Sequence, residues 1–247
     1  NGAQYEVIEF NEDVPNPYVT VEEVRTNEYT ETVSEKTVRN LDPEATRDLG
    51  NGYHLAWGTG TVEIHYTHFQ RKKISSGKAT TPMQPTGLPP IELNTQLMWI
   101  ETPLSLQDEI LHEITGEDPS MLTDGDVMEI FGGGLHGAEH GMIKLTPLEL
   151  RMDKSDLGGL STPVHQETGV PTWFIHDAVE GGLGFSKRIY EQIDTIAERT
   201  RERVGQCDCK GTGGCPACIM DSQCGNQNRY LHTQATVKVL DRVLNQL

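Results

Sequence analysis

From Tyr5 to about Glu101 the chain alternates β-branched or aromatic residues with polar ones, as in Tyr18-Val-Thr-Val-Glu-Glu-Val24, Thr61-Val-Glu-Ile-His-Tyr66 and Leu97-Met-Trp-Ile100. A period of two sends successive side chains to opposite faces, so these runs predict half-buried strands. Gly50-Asn-Gly52, Gly58-Thr-Gly60 and the Pro-rich stretch 81–90 predict the turns and a loop between them. After Pro103 the period lengthens to that of a helix. One helix is predicted with Ser105 as its cap and Leu106, Ile110, Leu111 and Ile114 on one face. A second is predicted from Asp126 to about Leu145, with Val127, Ile130, Phe131, Leu135, Ala138, Met142 and Leu145 along one stripe. Glycines at 132–134, 137 and 141 weaken that helix by roughly 1 kcal/mol each relative to Ala, which predicts that another backbone packs closely against it. Thr172-Trp-Phe-Ile-His176 reads as a short strand. A helix follows from near Ser186, burying Ile189, Ile193, Ile196 and Ala197. A last helix runs from about Tyr230 to Leu247, with Leu231, Ala235, Leu240, Val243 and Leu244. The expected fold is α+β: a β-rich module over residues 1–104, then an α/β domain over 105–247. No internal repeat is visible.

Charge changes where function is sought. The 247 residues carry a net charge of -17. Residues 1–185 hold 11 Lys and Arg against 30 Asp and Glu, whereas residues 186–247 hold 9 against 7. Phosphate binding needs cations, so any nucleic-acid contact is expected in the C-terminal third. The basic triplet Arg71-Lys72-Lys73 ends a predicted strand and is read as a solvated edge. No run reaches the roughly 18 apolar residues of a membrane helix, and no basic-then-apolar leader opens the sequence. A cytoplasmic protein without a membrane partner is expected. The chain starts at Asn1 inside strand-like sequence, which is expected of a piece of a longer polypeptide.

All the cysteines fall within one short segment: Cys207-Asp-Cys209, Cys215-Pro-Ala-Cys218 and Cys224. The intervening glycines leave it little apolar surface with which to hold a shape. A Cys-x-x-Cys pair presents two thiolates to one ion from a tight turn, and a further pair completes a tetrahedral Zn(Cys)4 site. The expected cofactor is a structural Zn²⁺ held by four of Cys207, Cys209, Cys215, Cys218 and Cys224. Cys215 and Cys218 are the first choices, and the spacing leaves open which of the others is spare. An odd count disfavours disulfides, and an iron–sulfur cluster is the competing occupant.

His136-Gly-Ala-Glu139-His140 places two imidazoles one helical turn apart, as in inverted zinc peptidases, where two His bind zinc and Glu activates water. The competing use is a polar stripe completed by Lys144 at i+8. Glu180-Gly-Gly-Leu-Gly184 between strand and helix suits a packing turn, or an anion cradled on backbone N–H groups. Ser75-Ser-Gly-Lys78 lacks the first glycine of a nucleotide-binding P-loop, so no ATPase is expected within these residues.

Four blocks, Leu135-His-Gly-Ala-Glu-His-Gly-Met142, Asp156-Leu-Gly-Gly-Leu-Ser161, Phe174-Ile-His-Asp-Ala-Val-Glu-Gly-Gly-Leu-Gly184, and the cysteines through Cys224-Gly-Asn-Gln-Asn228, resemble the MrfA zinc-binding domain. That domain closes DEAD/DEAH-box helicases of the MrfA-like group. The resemblance covers about residues 127–245, and the preceding β module is more weakly similar to the segment joining motor to domain. It implies an accessory part of an ATP-dependent 3′-to-5′ superfamily 2 DNA helicase associated with repair, with four cysteines on one zinc. It implies contact with single-stranded DNA in the full helicase, the motor domains as partner in cis, and ATP with Mg²⁺ confined to that motor. No catalytic residue is implied here. The acidic front half departs from what a DNA-gripping domain would show. The two alternatives are a zinc hydrolase built on His136, Glu139 and His140, and a module whose acidic face docks a basic repair protein.

Overall fold

The computed structural model describes residues 3–11, 14–209 and 211–247. The chain forms strands β1 (Gln4–Asn11), β2 (Tyr18–Val24), β3 (Glu28–Gly50), β4 (Tyr53–Lys73), β5 (Gln84–Pro85) and β6 (Ile91–Glu101), then helices α1 (Ser105–Thr115), α2 (Asp124–Val127) and α3 (Gly133–Leu150). Strands β7 (Leu157–Thr162) and β8 (Thr172–Asp177) follow, then α4 (Phe185–Glu191), α5 (Ile193–Gly205) and α6 (Thr233–Leu244). The mixed α and β architecture is the one expected. The residues divide into two compact units, 1–34 with 66–88, and 35–65 with 89–247.

In the smaller unit β1 pairs antiparallel with β2, from Gln4 opposite Val24 to Asn11 opposite Tyr18. The Gln4 amide donates to the Glu28 carbonyl at 2.8 Å and accepts from the Thr26 N–H at 3.0 Å. No buried hydrophobic residue among those described falls in this unit, so backbone pairing sustains it. Lys72 of the basic triplet is ion-paired with Glu31.

The larger unit holds residues 35–50 of β3 and 53–65 of β4 with β6, β8 and β7, in the order β3-β4-β6-β8-β7, and β6 pairs antiparallel with both β4 and β8. Alternation sorts its side chains. Leu55, Trp57, Met98, Ile100, Trp173 and Ile175 face the helices and join Leu106, Ile110, Phe131, Leu135, Met142, Ile189, Ile193, Ile196, Val239 and Leu240 in the main core. Val38, Ala56, Val62, Leu97, Trp99 and Phe174 form a smaller cluster on the other face. Burial on both faces explains why β6 and β8 read as nearly continuous apolar runs.

Several expectations change on folding. Gly58-Thr-Gly60 is no turn; it lies inside β4, opposite Leu97 to Thr95 of β6. A Cβ on Gly58 would overlap the Asp42 carbonyl and come within 2.8 Å of Pro43 Cα, so glycine is there to let β3 pass closely. Ser105 does not cap α1. The Leu106 N–H already bonds to the Pro103 carbonyl at 3.0 Å, so the turn starts earlier and Ser105 hydroxyl lies 3.4 Å from Glu109. The second predicted helix is divided: Thr123 and Asp126 form a reciprocal cap on α2, a wider π turn covers Met128–Gly132, and α3 runs on to Leu150. The last two predicted helices also shift: the first breaks at Gln192 into α4 and α5, and His232 caps α6.

The Gly-rich loop before α4 does cradle an anion, and the anion is its own. The fully buried Asp177 carboxylate accepts N–H bonds from Gly184 at 2.6 Å, Phe185 at 3.2 Å and Ser186 at 2.7 Å, with Leu183 as a further donor. These are the otherwise orphaned donors of a helix N-terminus.

Asp177→Ala is expected to strand those donors and to lower stability by about 3 kcal/mol or more in urea unfolding. Next to it, burial pulls the His176 imidazole down from its ordinary value to about 4. The unfolded chain therefore takes up a proton below about pH 6.5 that the fold refuses. Stability is expected to fall between about pH 6.5 and 4 as acid is added, and His176→Gln is expected to flatten that part of the profile.

Candidate metal centre

Every residue of α3 from Gly133 to Ile143 is buried, which is what a helix packed on all sides requires. Its glycines make this possible. A Cβ on Gly134 would lie 2.9 Å from Ala235 Cβ and 3.1 Å from the Ala235 backbone of α6, and one on Gly137 would collide with the Thr236 hydroxyl. A Cβ on Gly141 would come 2.6 Å from Thr200 Cγ2 of α5. The predicted close approach of another backbone is thus met by α6, with α5 beside it.

One stripe of this helix reaches the cysteine-bearing segment between α5 and α6. His136 Nδ1 lies 2.9 Å from the Tyr230 carbonyl, His140 Nδ1 lies 2.8 Å from the Ile219 carbonyl, and the Lys144 ammonium donates to the carbonyls of Pro216 and Met220. The i, i+4, i+8 stripe is therefore a clasp on the segment's backbone. Ile219, fully buried, fills space beside Gly137 and Gly141 and is the main apolar anchor of the segment. Its periphery is secured by Asp221, which is ion-paired with Lys154 and exchanges hydrogen bonds with Asn228 at 2.7 and 2.8 Å. Burial raises the Asp221 carboxyl, but Lys154 outweighs it and the group lies below the usual carboxylate range.

The five thiols part into two groups. The sulfurs of Cys207, Cys209, Cys215 and Cys218 all lie within 4.8 Å of one another. Cys207 is 3.6 Å from Cys215, Cys209 is 3.6 Å from Cys218, and Cys215 is 3.8 Å from Cys218. Two sulfurs on one tetrahedral zinc, each at about 2.3 Å, stand roughly 3.8 Å apart. These separations match the edges of such a tetrahedron and are far longer than a disulfide bond. The backbone N–H of Ala217 brings the Cys215 thiol down to about 7, whereas the neighbouring Cys207 thiol pushes Cys209 up and burial pushes Cys218 up. Crowded thiols that resist losing their protons are ones a cation would relieve, since binding requires the deprotonated form. Gly214, at φ +74°, precedes the knuckle where a Cβ would press on Ile219 and on Cys218 Sγ at 3.1 Å. The donor set fits zinc.

Cys224 stands apart from these four. Its sulfur lies 3.6 Å from His136 Nε2 and accepts the Asn228 N–H at 3.3 Å. The ligand atoms of His136, His140 and Cys224 lie within 4.8 Å of one another. Burial alone would raise the Cys224 thiol, but the imidazoles of His136 and His140 outweigh it and bring it down to about 6. Burial likewise pulls His136 down, and Cys224 overrides it to about 9. Glu139, the residue that would activate water in a peptidase, is seated elsewhere. Its carboxylate occupies the hollow over Gly159 of β7, where a Cβ would meet Oε1 at 2.5 Å.

A family model described as the MrfA Zn-binding domain matches residues 138–219, from within α3 through Cys218. The chain is 30% identical over 114 residues to an uncharacterized protein of Methanocaldococcus jannaschii, spanning all of that protein and 45% of this one. It is 26% identical over 218 residues to the uncharacterized ATP-dependent helicase YprA of Bacillus subtilis, covering 88% of this chain and 26% of the helicase. It is 23% identical over 259 residues to the ATP-dependent helicase HRQ1 of Saccharomyces cerevisiae, covering 98% of this chain and 22% of that one. The crystal structure of the DUF1998 helicase MrfA bound to DNA has a similar fold, with a TM-score of 0.61 at 23% identity over 98% of this chain and 29% of that one. The chain thus spans all of the archaeal relative but only about a quarter of the helicases.

Gly137→Ala is expected to lower stability by about 1–3 kcal/mol by overpacking the α3–α6 contact. Adding Thr236→Ala is expected to recover part of that loss in a double-mutant cycle read by urea unfolding.

Proposed function

We propose, from the premise that the chain belongs to the MrfA Zn-binding domain family, that it is the zinc-stabilised accessory part of an ATP-dependent superfamily 2 DNA helicase of the DEAD/DEAH-box, DNA-repair type. The observation that carries this is the tetrahedral spacing of Cys207, Cys209, Cys215 and Cys218 within the matched span, with Cys224 lying apart beside His136 and His140. In this proposal those four cysteines are the zinc ligands and Cys224 is the spare. Zinc supplies a structural cross-link with no open position for substrate. It joins the Cys207/Cys209 arm leaving α5 to the Cys215/Cys218 knuckle, so that the connection to α6 is closed.

ATP and Mg²⁺ belong in this proposal to motor domains outside these residues, which act as the partner in cis. The β-rich module 1–104 joins motor to domain, and residues 105–247 form the zinc-binding domain. Single-stranded DNA is the ligand of the assembled helicase. Its contacts fall on the C-terminal third, where cations outnumber carboxylates 9 to 7. Relatives that are helicases, one of them solved with DNA, support this. A cytoplasmic location accords with it, and no described helix is long and apolar enough to cross a membrane. The position of Glu139 over Gly159 speaks against the hydrolase alternative.

Elemental analysis tests the zinc assignment. Cys218→Ser is expected to lose one equivalent of zinc, and limited proteolysis is expected to cut within residues 205–230 while the β6–β8 core stays intact. Unchanged zinc and unchanged protease resistance would overturn it. In a helicase polypeptide carrying this chain, Cys215→Ser with Cys218→Ser is expected to weaken single-stranded DNA binding at fixed salt while nucleotide binding persists. Undiminished DNA affinity would favour the protein-docking alternative, for which the acidic residues 1–185 are suited.

A further inference from the structure

We propose that His136, His140 and Cys224 form a second metal site, separate from the four-cysteine centre, which holds a thiophilic divalent cation of the zinc type between α3 and the segment leading to α6. The hydrogen bonds of the two imidazoles fix their roles. Each Nδ1 faces a backbone carbonyl, Tyr230 for His136 at 2.9 Å and Ile219 for His140 at 2.8 Å. A carbonyl only accepts, so each Nδ1 carries a proton, and in the neutral ring the Nε2 lone pair is then the donor available to a metal. Metal-bound histidines are oriented in this way, with the ring's other N–H on a carbonyl or carboxylate.

His136 Nε2 lies 3.6 Å from the Cys224 sulfur, and the ligand atoms of all three residues lie within 4.8 Å of one another. A nitrogen at about 2.0 Å and a sulfur at about 2.3 Å from one tetrahedral ion stand roughly 3.5 Å apart. Helical spacing sets the two rings together, with centroids 4.2 Å apart. Both histidines are buried. The Cys224 sulfur also lies 2.7 Å from the Asn226 side-chain carbonyl, so one thiol proton has that oxygen and two imidazole nitrogens to serve, whereas one cation takes both nitrogens and the sulfur. The Asn228 N–H on Cys224 supplies a hydrogen bond to a thiolate. Imidazole with thiolate selects zinc-type ions over magnesium or calcium.

The three donors come from two places, α3 and the turn around Cys224, so the ion cross-links them. Three protein donors leave a fourth position, as in zinc sites that bind water or an exogenous ligand. Glu139 is not among the donors. The site is therefore a second clamp on the cysteine segment and stands independently of the proposal for the four cysteines.

The test uses the whole 247-residue chain, stripped of metal under reducing conditions and titrated with Co²⁺ alone, with absorption followed in the thiolate charge-transfer and d–d regions. Two equivalents are expected. His136→Ala and Cys224→Ser should each remove one equivalent and keep the strong charge transfer of the four-thiolate centre, with circular dichroism showing each variant folded. Cys218→Ser should abolish that strong band and keep the weaker one-thiolate site, so failure of the four-cysteine centre is seen separately. In the unaltered chain, which needs no variant to fold, metal loading should slow iodoacetamide alkylation of Cys224 at least tenfold, mapped by peptide mass. Metal, whether one equivalent or two, that survives undiminished in both His136→Ala and Cys224→Ser would overturn the second site. So would Cys224 alkylation as fast with metal as without, which would mark a thiolate–imidazolium pair instead.

Discussion

The structure depends on how deeply α3 is set. A helix buried on every side needs its neighbours within van der Waals reach, and Gly134, Gly137 and Gly141 provide that reach by giving their side-chain space to Ala235, Thr236 and Thr200. Once α3 is seated, the two histidines of its polar stripe are buried and Lys144 is half-buried. His136, His140 and Lys144 hold the carbonyls of Tyr230, Ile219, Pro216 and Met220. The glycines that cost helix propensity therefore bring the cysteine segment onto the domain.

That segment has Ile219 as its main apolar anchor and otherwise relies on polar and sulfur chemistry. Asp177 uses the same logic elsewhere in the fold, where a buried carboxylate gathers the N–H groups at the start of α4. In both places a loop rich in glycine, unable to build a core, takes its shape from an ionic or metal-ligating centre. The function proposed for the chain fits this economy. An accessory domain on a motor needs a rigid outline, and zinc gives rigidity to a segment too short and too polar to fold by burial alone.

Much of this was legible in the sequence. Alternating runs located β2, β4 and β6, a short apolar run located β8, and the cysteine spacing with the flanking blocks pointed to the family. Which cysteine lies apart from the rest was not legible, because Cys224 is divided from the other four by its tertiary meeting with His136, a contact across 88 residues. The His-x-x-Glu-His pattern correctly placed two imidazoles together, but periodicity carries no information about Glu139 facing Gly159 of β7. Gly58-Thr-Gly60 resembled a turn because the same residue type serves a turn and a close strand crossing. The loop 180–184 read first as a packing turn, with an anion cradle as the other use; that Asp177 itself fills it follows only from the fold.

The central claim is that metal, together with the α3 stripe, gives the cysteine segment its structure, while the sheet and helices around it stand by burial. Amide hydrogen exchange compared between the metal-loaded and the chelated protein tests this most directly. The account predicts that chelation strips protection from residues 205–230 and leaves β6, β8 and the buried face of α6 protected. Equal protection of residues 205–230 in both states, or loss of protection across the whole chain at once, would contradict it.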